Sequence, residues 1–292
     1  MIAPVDFHVN ADTLSTNSFQ THSSFSMDLP LMASREFEGF VGALIKNGVK
    51  VWVYEGASNC SSPDRIFPNN WISFHEERNV IYPMHAVNRR TERIQTIWDT
   101  LPNHYRQRDL TDWTHYEKEN LFLEGTGSLV LDRLNRMAFA SLSSRTFESL
   151  VMQWCEMMEY EAVVFSANAP GTDVPVYHTN VVMSVLGNCY LLGMDCVTDP
   201  HQRLRLLNCA DRCKKEVLEI TPQQVAEFAG NVLQFYDTQG SSCIALSKRA
   251  MASLSARQLR VLEANGSLIP VDLKYIEMFG GGSARCMLAE LF

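Results

Sequence analysis

Apolar residues recur at two periods along this chain, and the two alternate. From Glu36 to Asn47 they fall at Phe37, Phe40, Val41, Leu44 and Ile45, the spacing of one helical face, and Asn47-Gly48 supplies a C-cap. Val49 to Tyr54 then alternates like a strand. The spacing predicts a helix over Arg89–Leu101, stopped by Pro102, and another over Thr146–Glu159 with Leu150, Val151 and Trp154 inward. Two more are expected over Pro200–Glu216 and Thr221–Leu233. The second of these carries a capping box, with Thr221 as N-cap, Pro222 at N1 and Gln224 at N3. A last helix is expected over Ser255–Ala264, with Gly266 just beyond it. Strands are expected at Val80–Pro83, across a glycine-interrupted pair in Leu121–Asp132, at Met137–Leu142 and at Ala162–Ala167. Others are expected at Val176–Val185 with Cys189–Leu192 as hairpin partner, at Cys243–Leu246 and at Leu268–Leu273.

The alternation has a longer period. Loop-then-strand segments rich in polar residues begin near Asn17, Asn69, Glu124, His178, Ser241 and Cys286, at intervals of 52, 55, 54, 63 and 45 residues. Each interval holds strands and one or two helices, which predicts a repeated α/β module set around a centre. With no linker or low-complexity run, residues 1–292 are expected to form a single domain whose first and last strands are neighbours.

Composition narrows the function classes. The chain has 292 residues, 46% of them hydrophobic, with 25 basic and 33 acidic side chains for a net charge of −8. No basic stripe speaks for nucleic acid, and no apolar run approaches the roughly 20 residues of a membrane span. The N-terminus lacks a charged and then apolar leader, and eight cysteines in this length are too sparse for a disulfide scaffold. The expectation is a reduced, cytoplasmic protein. Cys196, His201, Cys209 and Cys213 match no zinc spacing and read as structural thiols, so no metal or organic cofactor is expected. The sequence leaves open whether the chain forms a homo-oligomer.

Near the end lies Gly280-Gly281-Gly282-Ser283-Ala284-Arg285-Cys286, followed by the apolar run Met287-Leu288-Ala289, which reads as a short buried strand. A side-chain-free loop feeding a packed strand holds a thiol firmly while a substrate comes close. Arg285 adds positive potential that favours thiolate. A cysteine beside an apolar run also serves as a small core residue. His178 and Glu124 stand at equivalent points of two other repeats. Together the three offer a nucleophile, a proton shuttle and a carboxylate to orient the imidazole.

These segments resemble the guanidino-group-modifying enzymes, the amidinotransferase or pentein superfamily, over nearly the whole chain. The carrying motifs are Phe67-Pro68-Asn69-Asn70-Trp71, Glu124-Gly125-Thr126-Gly127-Ser128, Tyr177-His178-Thr179-Asn180 and the glycine loop before Cys286. The resemblance implies a five-bladed α/β propeller of ββαβ modules, with Cys286 as nucleophile, His178 as acid and base, and Glu124 as its partner. Where arginine deiminases and amidinotransferases place two carboxylates against the guanidinium, this chain has Asn70 and Asn180.

A buried guanidinium needs anionic partners, whereas a ureido carbonyl needs donors, and Asn offers a donor that Asp does not. On this ground the expected reaction is hydrolysis of a C–N bond in a ureido or guanidino amino acid, with citrulline as the first choice. Asn70 and Asn180 would bind the ureido group, supported by Asn69 and Asp64, and Arg89 or Arg90 would hold the α-carboxylate. If Asp64 faces the pocket, a guanidinium substrate returns. The alternatives are arginine deiminase-like or dimethylarginine-hydrolase chemistry, and a non-enzymatic pentein binding protein.

Overall fold

The computed structural model describes residues 1–21, 28–55, 62–93 and 101–291. Four three-stranded sheets follow one another along the chain, each built from consecutive strands. β1 (Ile72–Phe74), β2 (Arg78–Ile81) and β3 (Asp109–Asp112) make the first. β4 (Val130–Asp132), β5 (Met137–Ser141) and β6 (Glu161–Phe165) make the second. β7 (Met183–Val185), β8 (Cys189–Leu192) and β9 (Glu216–Glu219) make the third. β10 (Leu233–Tyr236), β11 (Ser242–Ser247) and β12 (Ser267–Val271) make the fourth. In every sheet the first two strands run antiparallel and the third lies parallel to the second. A parallel partner needs a crossover. Helices Glu148–Met158, Pro200–Arg212 and Ala256–Asn265 supply it in the last three modules. These are the ββαβ units that the resemblance implies.

A fifth module joins the two ends of the chain. Helix Leu29–Lys46 starts at Asp28, whose carboxylate accepts from Leu31 N, and buries Leu29, Ala33, Phe37, Phe40 and Leu44 on one stripe. The extended segment after it pairs through one parallel bridge, Ile2 to Tyr54. Ala289 and Leu291 pack against the same apolar cluster as Ile2, Trp71 and Ile72.

Each of the four sheets is entered through a tight turn, the fifth module contributes the turn at Ala284–Met287, and the five turns form a closed circuit at the hub. Thr126 Oγ1 donates to Asn69 O, 3.4 Å away, linking the first turn to the second. Thr179 Oγ1 donates to Ser128 O at 2.6 Å, linking the second to the third. Asn231 Nδ2 donates to Asn180 O at 2.8 Å, and Arg285 N donates to Asn231 Oδ1 at 3.1 Å. Phe67, Ala284 and Cys286 share one buried apolar cluster, which returns the circuit to its start.

Several expected elements differ. The helix predicted over Thr221–Leu233 has its capping box but ends at Ala226. Beyond it the chain must pass against the third turn, where a Cβ on Gly230 would lie 2.4 Å from Val181 O. Leu233 therefore belongs to β10. The strand predicted over Val176–Val185 is broken by a 3-10 turn at Thr179–Val181 that faces the hub. The Leu121–Asp132 pair is a helical turn, Gly125–Ser128, followed by β4. Met287-Leu288-Ala289 is not a strand: Cys286 sits in a 3-10 turn, Ala284–Met287. Among the described residues, Val49–Tyr54 forms a β-bridge only at Tyr54. Of the helix expected at Arg89–Leu101, the described part is a 3-10 helix over Asn88–Glu92, and residues 94–100 lie outside the described residues. Cys196 and Cys209 are packed into the largest apolar cluster. Among the described residues no helix is long and apolar enough to cross a membrane.

Candidate active site

Glu124 and His178 meet at the hub. Glu124 closes the segment before the Gly125–Ser128 turn, and His178 is extended just before the Thr179 turn. His178 Nε2 lies 2.8 Å from Glu124 Oε2, and both side chains are wholly buried. Glu124 Oε1 accepts from His85 N at 2.9 Å, so both carboxylate oxygens are engaged. Two guanidinium groups flank it, Arg145 Nη1 at 3.6 Å and Arg89 Nη1 at 3.8 Å. Burial opposes its ionisation, but Arg145, His178 and Arg89 together hold the carboxyl well below the ordinary range. His178 is pushed down to about 4, because burial outweighs the pull of Glu124, with Arg145 and Arg89 adding to the depression. The imidazole is thus neutral near pH 7, with its Nε2 edge fixed by Glu124.

The glycines of this segment make the approach feasible. Gly125 has φ +49°, and a Cβ there would lie 2.2 Å from Asn69 O. A Cβ on Gly127 would lie 2.6 Å from Asn70 Nδ2 and 2.8 Å from His178 Nδ1. The ring and the Asn70 amide therefore pack directly on the Gly127 backbone.

Cys286 Sγ is buried between two amides. Asn231 Nδ2 donates to it at 3.2 Å and Asn180 Nδ2 at 3.5 Å. Asn180 is two residues from His178 and links the sulfur to the imidazole turn. Burial pushes the thiol up, and the amides, the Ser283 backbone bond and Arg285 only partly offset this. Arg285 is itself turned away, donating to Leu288 O at 3.0 Å and standing 3.6 Å from Glu290. The potential that Arg285 adds does favour thiolate, as the sequence suggested, but burial outweighs it.

On the other side of Glu124, Arg89 grips Glu92 through two bonds of 2.8 and 3.0 Å and donates to Asn70 Oδ1 at 2.9 Å. Asp64 Oδ2 accepts from Asn10 Nδ2 at 2.7 Å and stands 3.8 Å from Arg89 Nε. Two polar atoms of this cluster are buried with no hydrogen-bond partner: Asp64 Oδ1 and Asn69 Nδ2. One is an unused acceptor and the other an unused donor. Burial pushes the Asp64 carboxyl above its ordinary value, and a further cation at Oδ1 would favour its ionised form.

Residues 3–292 match the family model described as N,N dimethylarginine dimethylhydrolase, eukaryotic. The chain belongs to this dimethylarginine dimethylhydrolase family. No curated protein sequence matches it. Its fold matches apo ArgZ, an arginine dihydrolase from the ornithine-ammonia cycle in cyanobacteria, with TM-score 0.76 at 16% identity, covering all of this chain and 40% of ArgZ. Against the N-terminal domain of ArgZ bound to substrate the TM-score is 0.75 at 16% identity, and the match covers 100% of this chain and 97% of that domain. A dimethylarginine dimethylaminohydrolase carrying an S-methyl-L-thiocitrulline adduct gives TM-score 0.64 at 15% identity, with 98% and 96% covered. At these identities the similarity establishes the fold, the propeller of repeated α/β modules.

In this dimethylarginine dimethylhydrolase family member the hub gathers most of the residues singled out in the sequence. Glu124 and His178 are paired, Cys286 touches Asn180, Asn70 and Asp64 stand against Arg89, and Asn69 accepts from Asn70. Arg90 is the exception: it donates to Met84 O and His85 O and stands 3.5 Å from Glu117, bracing the segment that gives Glu124 its backbone bond. Sequence reasoning missed Arg145 and Asn231. Arg145 follows two serines in a hairpin loop, with no pattern to mark it. Asn231 did leave a signal. Placing the fifth polar segment at Asn231 instead of Ser241 replaces the uneven intervals of 63 and 45 with 53 from His178 and 55 to Cys286.

Proposed function

We propose that this chain is a cysteine-dependent hydrolase of a guanidino C–N bond in an arginine-class amino acid, with residues 1–292 acting as one catalytic unit. The observation that carries the reading is the buried His178–Glu124 pair, at 2.8 Å, on the turn whose Asn180 holds Cys286. The thiol proton passes to His178, and Sγ bonds to the guanidino carbon. His178, now an imidazolium stabilised by Glu124, protonates the departing amine as its C–N bond breaks. Neutral His178 then takes a proton from water, the hydroxide adds to the same carbon, and the C–S bond breaks. The product is a ureido group, and the thiolate recovers its proton from His178.

Two features favour a cationic substrate. Asp64 Oδ1 is a buried acceptor without a partner, which a guanidinium N–H can fill. The thiol stands above its ordinary pKa, and a cation beside it favours the thiolate, which a neutral ureido group cannot do.

One observation favours citrulline as a second substrate. Asn70 gives its Oδ1 to Arg89 and one Nδ2 hydrogen to Asn69 Oδ1 at 3.1 Å, so its second Nδ2 hydrogen and the unpartnered Asn69 Nδ2 suit a carbonyl acceptor. A site with both an unused acceptor and unused donors suits successive hydrolysis of a guanidino and then a ureido group.

The test incubates the protein separately with arginine, asymmetric dimethylarginine and citrulline. Ammonia or dimethylamine released together with a ureido product, and lost in Cys286→Ala, supports the proposal. Ornithine from citrulline alone transfers it to the second reading. No turnover of any of the three overturns it.

A further inference from the structure

We infer that Asn231 is a positioning residue that holds the Cys286 sulfur and stabilises it as an anion, completing with Asn180 a two-amide cradle. The inference rests on the reading of Cys286 as nucleophile. The orientation of the Asn231 amide is fixed by its surroundings. Its Oδ1 accepts from Arg285 N at 3.1 Å, an atom that can only donate. Its Nδ2 donates one hydrogen to Asn180 O at 2.8 Å, an atom that can only accept. The second Nδ2 hydrogen then belongs to Sγ, at 3.2 Å. A flipped amide would set donor against donor at Arg285 and acceptor against acceptor at Asn180.

The bond discriminates between the two states of the sulfur. Hydrogen bonds to an ionised acceptor are roughly twice as strong as those to a neutral one, so an amide pointed at Sγ favours thiolate over thiol. Asn231 is wholly buried, so water does not take this role over. The same side chain fixes the two neighbours that matter. Through Arg285 N it sets the turn that carries Cys286, and through Asn180 O it sets the turn that carries His178. Its position as the fourth hub turn explains why one residue reaches both.

The test compares wild type with Asn231→Asp. That change keeps the volume and the acceptor for Arg285 N while removing the Nδ2 donor and placing negative charge at the sulfur. The readout is the pH dependence of Cys286 alkylation by iodoacetamide, followed by mass spectrometry of its peptide, alongside kcat and KM. The apparent thiol pKa is expected to rise by about one unit or more, and kcat to fall about 100-fold while KM changes less than about 3-fold. Asn231→Ala gives the same readout if the aspartate variant does not fold. An unchanged alkylation profile and kcat in a folded variant overturns the inference. Full activity in Cys286→Ala overturns instead the nucleophile assignment beneath it.

Discussion

Gly127→Ala is the sharpest steric test of the site, because one methyl group reaches two functional side chains at once. The added carbon would sit 2.6 Å from Asn70 Nδ2 and 2.8 Å from His178 Nδ1, where ordinary contact begins at 3.4 Å. Asn70 and the imidazole must therefore retreat by about 0.8 and 0.6 Å. Neither has slack: Asn70 Oδ1 is held by Arg89 at 2.9 Å, and His178 by Glu124 at 2.8 Å. Overpacking of this kind costs about 1–3 kcal/mol of stability. A displacement near 1 Å at a reacting group costs on the order of 100-fold in rate. Turnover of the guanidino substrate should fall by about 30- to 100-fold while the protein stays folded. Two other alanines frame the result. Gly125→Ala meets a backbone carbonyl at 2.2 Å with φ +49°, which no side-chain shift relieves, so it should damage folding itself. Gly39→Ala, in helix Leu29–Lys46 with nothing within 4 Å, should leave turnover unchanged and raise stability by up to about 1 kcal/mol. Steady-state kinetics and urea melts on the three variants decide the matter. Turnover within about 2-fold of wild type in Gly127→Ala would refute the packing argument.

Two further predictions concern charge. His178 stands at about 4 in the folded protein against 6.5 ordinarily, so between those values the unfolded chain binds the extra proton. Stability should therefore fall as pH drops from 6.5 to 4, by about 3 kcal/mol more in wild type than in His178→Gln; parallel pH dependences in urea melts would remove the assignment of a neutral imidazole. Arg89→Met removes the two hydrogen bonds to Glu92 and the contacts to Asn70 and Glu124, leaves buried carboxylates without their cation, and should cost about 3–5 kcal/mol. Arg90→Ala, by contrast, removes bonds to two backbone carbonyls and a partly exposed ion pair, and should change both stability and kcat/KM little; equal effects from the two would show that their roles were misassigned.

The repeat and the convergence of Glu124, His178 and the Cys286 turn on one hub were legible in the sequence because the spacing of their segments is regular. Buried strands and amphipathic helices were legible for the same reason: Phe37, Phe40 and Leu44 report one face directly. The errors fall where tertiary contact overrides local pattern. Thr221 opens a helix by its own chemistry, but Gly230 must pass under Val181 O, and no periodicity records that. β3 and β9 are partly exposed third strands rich in charge, Asp109–Asp112 and Glu216–Glu219, so they lack an apolar signature. Arg89 or Arg90 was expected to hold the substrate's α-carboxylate, but both have partners already in the chain, Glu92 one 3-10 turn away for Arg89 and Glu117 for Arg90. The substrate preference turned on Asn70 and Asn180, whose side chains proved to be engaged with Arg89 and Cys286, and on Asp64, whose free oxygen only coordinates could reveal.

The five hub turns have a bearing on how such a protein diversifies. Asn70, Asn180 and Asn231 lie in or beside single turns, ahead of the strands that give each blade its rigidity. An acid-for-amide exchange at any of them changes the charge at the centre while leaving the sheets as they are. The architecture behaves as a dial with separately replaceable teeth, and the polarity of the centre is best varied at Asn70 and Asn180, in libraries that keep Asn231 and leave every blade untouched.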